Sequence, residues 1–548
     1  MLIKNIIMER KFLLIRYGSI LTVFVTTMII LSSCNPEEEV LSDPYAGGKE
    51  PVGIKFKSVP PEPPSGPPGT QVTFRVEGLM DWEGEYDFLI NDEKAEIITA
   101  SDSSITVKVP SLVSSGLATI VVGEQLFIGP RFKVEGNVTI DPNFGLVKGM
   151  DGPIYDFVKN DNGYVLVGAF NKIKDISEGW RVFPGIAAIN AQGGVNADFN
   201  LNNEGKGIGA IGSILSISKF SNGKFLISGS FNRYNDENDI GSITTLEADG
   251  TLEDEIIDVV NITPQIPSRG IDTVSVYNGS LPGQVVVRSF VTDNDDVIVV
   301  GDLNVYAEID YSKSTKTTRF YKYTSIKTIL KTDSKGIIDK TYHSSLEGAN
   351  DNVNDAYLQQ DGKVVLVGEF TSFDGKTANR IVRLDQNGMY DQTFNIGNGA
   401  NDRINTAQYN PELKKVILTG NFTEFNGIPA NGVVLLDLDG EVDQDFKLKE
   451  IAGGRPNFAK VLSTGKILVT GYFDEYDNIT RRGFLLLESD GSVVQDFNIA
   501  GGFEGQLIQV IETTSAIGNP ALILMGFITT FDDERVGNIV RVELTNLN

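Results

Sequence analysis

A short pattern that recurs seven times organises the chain from about residue 138 to its end. In each copy an apolar stretch ends in a glycine, and a large apolar or aromatic residue follows five positions later. The seven anchor glycines are Gly168, Gly229, Gly301, Gly368, Gly420, Gly471 and Gly526. The later copies are spaced by about 50 residues, whereas the earlier ones carry insertions. A period of this length indicates one supersecondary unit per copy, which buries its apolar face only by stacking against its neighbours.

The copy at residues 353–394 shows the content of one unit. Its apolar runs at 353–359, 363–370, 380–385 and 389–394 are separated by segments that contain Asp-Gly or Asn-Gly. These dipeptides between alternating runs are strong hairpin signals. Four short strands joined in this way are typical of one blade of a β-propeller. The sequence therefore predicts an all-β fold with a seven-bladed propeller over residues 138–548.

The two ends of the repeat array complement each other. Six copies continue to a turn glycine that is followed, six residues later, by an aromatic or aliphatic residue, but the last copy has no such tail. A tail of this kind, the segment from Ile140 to Phe144, stands just before the first copy. We therefore predict that this segment completes the sheet built from residues 507–544. The closure would join the ends of a ring and leave no open sheet edge.

The compact copies also match a known pattern. Their shared features are a (D/N)-G-K turn, a G-x-F strand end and a closing D-x-x-F, and together they resemble the delta-60 or DUF5122 β-propeller repeat. The first three copies depart from it most, since residues 253–256 replace one D-x-x-F by Glu-Asp-Glu-Ile. The resemblance implies the same propeller that the turns predict, with uncertain boundaries in the first three blades.

A separate small domain is expected at residues 51–136. Prolines crowd residues 58–70, where they disfavour helix, and alternating strands follow at 71–76, 100–110 and 118–122. This pattern predicts a small antiparallel β-sandwich. The Ser-Gly-Pro-Pro-Gly turn and the closing Phe-Lys-Val strand at 132–134 resemble the IPT/TIG immunoglobulin-like family. The resemblance implies a spacer module that only sometimes binds a ligand.

The N-terminus has the order of a secretory signal. Basic residues precede a short apolar run within residues 1–33, and the run is too short for a membrane span of ~20 residues. The segment Leu31-Ser32-Ser33-Cys34 resembles a bacterial lipobox, which implies cleavage before Cys34 and lipidation of its thiol. Residues 34–50 are polar and form a tether with an acidic run that resembles the export signal of Bacteroidota surface lipoproteins. A plain solvated tether is the alternative.

Residue counts exclude several kinds of catalytic site. The chain has one cysteine and one histidine, so Ser-His-Asp and Cys-His catalytic sites, cysteine–zinc sites and multi-histidine metal sites are not expected. His343 is predicted to be an ordinary surface residue. Aspartates that recur in several copies are expected to hold turns, and the acidic segments 293–296 and 437–443 lack EF-hand spacing. We predict no catalytic residue, no metal and no cofactor.

Two insertions that leave the repeat pattern are the candidate ligand sites. One, at residues 171–183, contains Trp180, and the other, at 304–326, contains Tyr311, Tyr321 and Tyr323. Aromatic side chains displayed on loops are able to stack on sugar rings. The alternative is structural: Tyr306 in the second insertion fills the aromatic position of the repeat, and Tyr321 and Tyr323 simply share one face of a strand.

Three functions remain open. Resemblance to surface lipoproteins that pair an IPT/TIG module with a second domain implies a non-catalytic outer-membrane protein, facing the cell exterior, that captures polysaccharide for an uptake complex. A protein-binding adhesion or scaffolding role is the alternative. A propeller hydrolase or lyase is the third, and it predicts acids and bases in the channel that break the repeat symmetry. The formal net charge of -26 disfavours nucleic acid and anionic lipid, so the lipid anchor is the only membrane contact expected.

Overall fold

The computed structural model describes residues 53–146, 149–161, 163–175, 179–200, 209–345 and 347–547. The chain divides into two units, Met1–Gly53 and Ile54–Asn548, and the signal segment, Cys34 and the tether lie outside the described residues. Regular structure in the second unit is almost entirely β, as predicted. The two described helices are single 3₁₀ turns, Met80–Trp82 and Pro267–Gly270. Across the described ranges, no helix is long and apolar enough to cross a membrane.

Two packed sheets form the N-terminal part of the second unit. Their strands are β1 (Lys55–Phe56), β2 (Ser65–Gly66), β3 (Gln71–Glu77), β4 (Tyr86–Ile90), β5 (Glu93–Lys94), β6 (Glu96–Ser101), β7 (Ser104–Lys108), β8 (Gly116–Val122) and β9 (Gln125–Val134). One sheet has the order β1-β3-β7-β6 and the other β2-β9-β8-β4-β5. The rings of Phe56, Phe74 and Phe88 meet between the sheets with centroids 5.0 to 6.4 Å apart. We refer to residues 54–134 as the sandwich.

The anchor glycines lie in seven antiparallel sheets, which we number repeat sheets 1 to 7. Sheet 1 is β11 (Ile154–Asn160), β12 (Gly163–Gly168) and β15 (Ile186–Asn190); sheet 2 is β16 (Ala210–Lys219), β17 (Phe225–Tyr234) and β18 (Ile243–Leu246); sheet 3 is β21 (Val285–Val291), β22 (Val297–Asp302) and β25 (Ile329–Thr332); sheet 4 is β26 (Val353–Leu358), β27 (Val364–Gly368) and β30 (Ile381–Leu384). Sheet 5 is β31 (Ile404–Asn410), β32 (Lys415–Gly420) and β35 (Val433–Asp437); sheet 6 is β37 (Arg455–Val461), β38 (Ile467–Tyr472) and β41 (Phe484–Leu487); sheet 7 is β42 (Glu504–Thr514), β43 (Pro520–Phe531), β45 (Ile539–Leu544) and β10 (Val138–Ile140).

Short ribbons extend from these sheets. They are β13 (Lys172–Asp175) with β14 (Gly179–Val182), β19 (Asp254–Asp258) with β20 (Ile271–Ser275), β23 (Val305–Ile309) with β24 (Tyr321–Ser325), β28 (Ser372–Phe373) with β29 (Lys376–Thr377), β33 (Glu424–Phe425) with β34 (Ile428–Pro429), β36 (Ile451–Ala452) with β39 (Glu475–Tyr476) and β40 (Ile479–Thr480), and β44 (Glu534–Arg535) beside β43. The ribbons β13–β14 and β23–β24 belong to the two insertions that the sequence places outside the repeat, whereas β19–β20 begins in the atypical tail of the second copy.

The first strands of the seven repeat sheets form a closed ring. Each contacts the first strand of the next sheet, and β42 of sheet 7 contacts β11 of sheet 1. Every one of these strands carries a bulge near its start, where the pairing with the second strand shifts register. A bulge increases the local twist of a strand. The same irregularity therefore recurs around the whole ring.

The fourth strand predicted for the repeat is wrong in sheets 1 to 6, whereas sheet 7 has one, β10. In sheet 4 the segment 389–394 makes only one bridge, Leu384 with Tyr390, and five other sheets show a single bridge at the same place. The reason is the aspartate of the D-x-x-F tail. Asp391 Oδ1 accepts hydrogen bonds from the Thr393 backbone N–H at 2.9 Å and from its hydroxyl at 2.6 Å. The side chain thus folds the tail into a turn instead of a strand.

In four of the tails the turn directs the final aromatic residue under the neighbouring sheet. Phe394 packs against Gly440, which has a φ of 89°. A Cβ atom at Gly440 would lie 2.8 Å from the Phe394 ring, so both the conformation and the contact require glycine. Phe144, Phe199 and Tyr342 meet Gly193, Gly250 and Gly388 in the same way. Neighbouring sheets are thereby joined by a repeated ring-to-glycine contact.

The predicted closure is confirmed. Strand β10 pairs antiparallel with β45, with Thr139 opposite Glu543. Just after β10, Asp141 Oδ2 lies 2.6 Å from Nη2 of Arg541, and both side chains are fully buried. Arg541 also donates to the carbonyl of Ala191 at 2.7 Å in sheet 1, and its guanidinium lies 4.9 Å from the ring of Phe144. One arginine therefore links the first and last segments of the repeat array.

The same arrangement occurs inside a single repeat, in sheet 4. Arg383 Nε lies 2.8 Å from Asp391 Oδ2, its guanidinium lies 4.8 Å from the Phe394 ring, and it donates to the Leu438 carbonyl at 2.8 Å in the next sheet. Residues 141–144 thus occupy in sheet 7 the place that residues 391–394 occupy in sheet 4. The segment before the first copy is the missing tail of the last one.

The sandwich packs directly on sheets 6 and 7. Buried Arg481 donates to the Leu112 carbonyl at 2.8 Å, and the Ser115 N–H donates to the Ile499 carbonyl at 2.9 Å. Lys133 Nζ lies 3.3 Å from Asp532 Oδ2. These contacts fix the sandwich against the ring.

We predict that the closure ion pair is essential for stability. Arg541→Met should lower the free energy of unfolding by about 3–5 kcal/mol, because it leaves the Asp141 charge buried without its partner. Equilibrium urea unfolding measures this loss. The matched control is Lys94→Met, whose partner Asp87 is 2.5 Å away but whose side chain is 69% exposed, and it should cost no more than about 1 kcal/mol. Equal effects of the two substitutions would contradict the prediction.

Candidate functional site

Two ribbons, of which one lies in the predicted insertion at 304–326, assemble into one body. We refer to residues 254–275 and 305–325, which contain the ribbons β19–β20 and β23–β24, as the insertion module. Arg319 connects its two parts and sheet 2: it lies 2.9 Å from Asp272 Oδ2 and also pairs with Asp239. Burial acts to lower the pKa of Arg319, but hydrogen bonds to Asp239 and Asp272 outweigh it and raise that pKa. The Val260 N–H also donates to the Ser314 carbonyl at 2.8 Å.

Two predicted ligand residues stand side by side on this module. Tyr321 and Tyr323 lie two positions apart on β24, so their side chains share one face of the ribbon. Their ring centroids are 6.2 Å apart and the ring planes are inclined by only 27°. Tyr323 is 65% exposed, and Tyr321 is partly buried, which raises its pKa. We call these two rings the tyrosine platform.

The other two tyrosines of the insertion have packing roles. Tyr311 lies with its ring 5.7 Å from the guanidinium carbon of Arg319, and burial raises its pKa. It therefore supports the arginine that holds the module together. Tyr306 is fully buried and donates to the Gly336 carbonyl at 2.5 Å. It fills the aromatic position of the repeat, as the structural alternative predicted.

Trp180 stands on a different ribbon. It lies on β14 opposite Lys174, next to sheet 1, and is 52% exposed. Residues 176–178 of this ribbon lie outside the described residues. Within the described ranges no ring contact connects Trp180 to the tyrosine platform. The structure thus presents two separate aromatic surfaces and does not bring the four predicted residues together.

A charged cluster crosses the centre of the ring. Arg288 on β21 has its Nε 2.8 Å from Asp355 Oδ1 and its Nη1 3.8 Å from Asp156 Oδ2. These residues belong to sheets 3, 4 and 1. The same bulge positions in other sheets carry Ser216 and Gln509, so the cluster breaks the repeat symmetry. Such asymmetry is what the hydrolase hypothesis predicted.

Those carboxylates are occupied by the protein itself. Asp355 accepts the backbone N–H of Ala356 at 2.9 Å and that of Ala407 at 3.0 Å, besides its bond from Arg288. Asp156 accepts the N–H groups of Phe157 and Ile217 at 2.9 and 3.1 Å. Burial raises the pKa of Asp156, although Arg288 and these bonds act to lower it. The cluster joins three sheets across the ring.

His343 is buried, so its prediction as a surface residue is wrong. Its Nε2 lies 3.2 Å from Asp374 Oδ1 and its ring centroid is 5.4 Å from that of Phe373. The cause is the tail of sheet 3, which continues from Tyr342 under sheet 4, where the His343 N–H donates to the Asn387 carbonyl at 2.9 Å. In the described part of the chain, no group of three or more acidic, histidine or cysteine side chains is placed to hold a metal ion.

Sequence reasoning missed a further aromatic group at the ring. Tyr472 and Phe527 occupy the middle position of the G-x-F motif in sheets 6 and 7 and are 61% and 48% exposed. The ring of Tyr155, which is the bulge residue of sheet 1, lies 6.2 Å from that of Phe527. The sequence held a signal for these residues, because an aromatic side chain occupies the x position only in these two copies. The other five copies carry Ala169, Ser230, Asp302, Glu369 and Asn421 there.

Comparison with family models supports the repeat assignment. Residues 359–394, 414–446 and 462–493 match DUF5122, described as a β-propeller domain of unknown function, which confirms the resemblance for sheets 4 to 6. Residues 134–252 match DUF5124, and residues 30–130 match DUF5008, both described as domains of unknown function. The first two copies thus overlap a different model, and the sandwich region matches DUF5008. No curated protein matches the chain.

Solved structures resemble the chain only distantly. The computationally designed Ika8 protein is 12% identical with a TM-score of 0.35, covering 73% of this chain and 99% of that protein. An auxiliary nutrient-binding protein from Bacteroides ovatus is 11% identical with a TM-score of 0.26, covering 89% and 97%. A gluconolactonase from Xanthomonas campestris is 11% identical with a TM-score of 0.27, covering 60% and 85%. Values this low carry no argument about function.

We predict that Arg288 stabilises the ring. Arg288→Met should lower the free energy of unfolding by about 3–5 kcal/mol, because two buried carboxylates lose their cation. The pKa of Asp156, which burial already raises, would rise further without the arginine. A carboxyl group with a raised folded pKa contributes stability at low pH that is lost as pH increases. The loss should therefore be larger at pH 8 than at pH 5 in urea unfolding.

The matched control for this experiment is Arg403→Met. Arg403 lies 3.7 Å from Glu369 with its side chain 47% exposed, so its removal should cost no more than about 1 kcal/mol at either pH. Adding Asp355→Asn to Arg288→Met should recover part of the stability by removing one unpaired charge. A pH-independent loss in Arg288→Met would contradict the assignment of the cluster as a charge-paired bridge.

Proposed function

We propose that this chain is a non-catalytic cell-surface lipoprotein that binds polysaccharide for an outer-membrane uptake system. Its body would be a seven-bladed β-propeller carried on an IPT/TIG-like immunoglobulin sandwich. The seven repeat sheets with their closed ring of first strands support the propeller, and the nine strands in two packed sheets support the sandwich. The binding surface would be the insertion module.

The observation that carries the proposal is the tyrosine platform. Two nearly parallel, accessible rings 6.2 Å apart offer apolar faces to sugar rings, and their hydroxyl groups are able to hydrogen-bond to sugar hydroxyls. The platform is preorganised because Arg319 ties β24 to Asp272 of the neighbouring ribbon. A rigid aromatic surface loses little conformational entropy on binding, which favours ligand capture.

Binding without catalysis is supported by the channel cluster. The oxygens of Asp156 and Asp355 already accept bonds from backbone N–H groups and Arg288, so neither is directed at an open substrate space. A glycosidase needs one carboxyl group to donate a proton and another to attack or activate water. A pair held by an arginine and by backbone donors is poorly suited to that exchange.

A protein-binding scaffold is the second candidate. The insertion module exposes Ile256, Ile262 and Ile271, which are 74%, 70% and 45% accessible. Ile256 and Ile271 lie on the same face of the ribbon β19–β20. Exposed aliphatic residues of this kind favour protein contacts over sugar contacts, since they offer no hydrogen bonds.

Glycan binding is tested by Tyr323→Ala on an array of polysaccharides and by affinity gels. Loss of one stacked ring should weaken binding roughly threefold to tenfold. Trp180→Ala is the matched control, since it removes an equally accessible ring from another sheet, and Tyr321→Ala should reproduce the loss. Loss of binding in Trp180→Ala alone would move the site to sheet 1. Absence of binding to every glycan would transfer the assignment to a protein partner.

Surface anchoring is tested at Cys34. Cys34→Ser removes the thiol that would carry the lipid, so the protein should move from the membrane fraction to the soluble fraction of cells. Mass spectrometry of the native N-terminus should find a lipid-modified Cys34, and protease added to whole cells should digest the exposed chain. Ser33→Ala is the control that leaves the thiol in place. Membrane association retained in Cys34→Ser would refute the anchor.

A further inference from the structure

A cleft of about 960 Å³ opens between repeat sheets 3 and 4. It lies on the face of the ring where turns join the first and second strands of each sheet. Its lining includes Asn294, Gln360, Asp361, Gln386, Asn387 and Tyr409. Small-molecule sites usually have volumes of about 300–1,000 Å³, so the cleft is large enough for a ligand.

The walls of the cleft are held by hydrogen bonds between its turns. Gln386 Nε2 donates to the Asp361 carbonyl at 2.6 Å, which joins the two turns of sheet 4. Gln359 Nε2 donates to the Leu438 carbonyl of sheet 5 at 2.9 Å. Across the cleft, Asp295 accepts the Ser221 N–H at 2.9 Å and so ties the turn of sheet 3 to sheet 2. The cavity is therefore preformed.

Carboxylates outnumber cations in the lining of the cleft, where Asp293, Asp296 and Asp361 stand with one lysine, Lys331. Asp296 Oδ2 lies 2.7 Å from Lys331 Nζ. Lys363, outside the lining, lies 3.5 Å from Asp361 but 3.3 Å from Asp391. The excess of negative charge, in a protein with a formal net charge of -26, repels an anionic ligand. Among sugars, it therefore favours uncharged ones over those that carry carboxylates.

The unused polar groups point to a ligand that both donates and accepts hydrogen bonds. Among the described residues, the side-chain amides of Asn294, Gln360 and Asn387 make no intramolecular hydrogen bond, so their donors and acceptors are available. Tyr409 adds an aromatic ring to the lining and is held by Tyr357, with centroids 5.4 Å apart. Amides around one ring are the groups that recognise the hydroxyls and the apolar face of a sugar.

We propose that this cleft is a second glycan subsite, which binds a short neutral segment of a polysaccharide. The inference rests on the proposed glycan-binding function and specifies the charge of the ligand. Uncharged sugars bind, and sugars that contain uronic acids do not. The subsite is separate from the tyrosine platform, since the cleft is lined by the turns of sheets 3 to 5 and not by the insertion module. A polysaccharide that engages both sites at once would bind with higher avidity than one that engages a single site.

The test uses isothermal titration of the mature protein with neutral tri- to hexasaccharides and with oligogalacturonate as the charged probe. Gln360→Trp should block the cleft and weaken neutral binding at least tenfold, and the double variant Gln360→Ala/Asn387→Ala should weaken it roughly threefold to tenfold. Gln495→Ala is the matched control, because it removes an exposed amide from the tail of sheet 6 and should change nothing. Unfolding midpoints confirm that each variant is folded.

Each outcome decides between the two assignments. Neutral binding that Gln360→Trp weakens and Gln495→Ala leaves intact supports the cleft. Binding that Tyr323→Ala weakens but both cleft variants leave unchanged overturns the cleft and keeps the proposed function. Preference for oligogalacturonate overturns the assignment of an uncharged ligand. No binding to any sugar overturns both the cleft subsite and the proposed glycan-binding function. Binding of a cationic peptide in place of sugars would assign the cleft to a protein partner.

Discussion

The fold depends on one buried ion pair that connects its two ends. Arg541 and Asp141 are both inaccessible, and removing water from two charges is favourable only when each finds full compensation. Arg541 obtains it from Asp141, from a carbonyl of sheet 1 and from the face of Phe144. These partners come together only when β10 pairs with β45. The pair therefore links the pairing of the first and last strands to the placement of sheet 1, which makes closure cooperative.

Other arginines connect sheets in the same way. Arg383 connects sheet 4 to sheet 5, and Arg288 connects sheets 3, 4 and 1 across the centre. Apolar contacts between sheets are tolerant of small rotations, whereas an arginine that pairs with several fixed oxygen atoms accepts one geometry. The arginines thus fix the relative position of sheets that the apolar core would hold less specifically. Rigid placement of the sheets is what fixes the turns and ribbons that could bind a ligand.

Structural features that recur in every copy could be predicted from the sequence. Features that depend on one contact between distant residues could not. The turn glycines and the missing last tail were sufficient for the ring closure, since every repeat supplies independent copies of the same signal. The fourth strand was predicted wrongly because the alternation in 389–394 resembles a strand until the Asp391 side chain is seen to cap a turn. The burial of His343 depends on a backbone bond to Asn387 in another sheet, and no local pattern reports that. The insertions identified Tyr323 as exposed but gave no sign that Tyr311 supports Arg319.

Functional residues in such a fold have to lie where the repeat does not need them. Hydrogen bonds from Thr341 lower the pKa of Asp339, and bonds from Thr393 and Arg383 outweigh burial and lower the pKa of Asp391 to about 2. These carboxylates are committed to turns, so they are ionised acceptors and not proton donors at neutral pH. The positions left free are insertions, turn tips and the x of G-x-F. Because the ring is stabilised without them, they can change their ligand preference without changing the fold, which is the physical reason to seek binding in the module and the cleft.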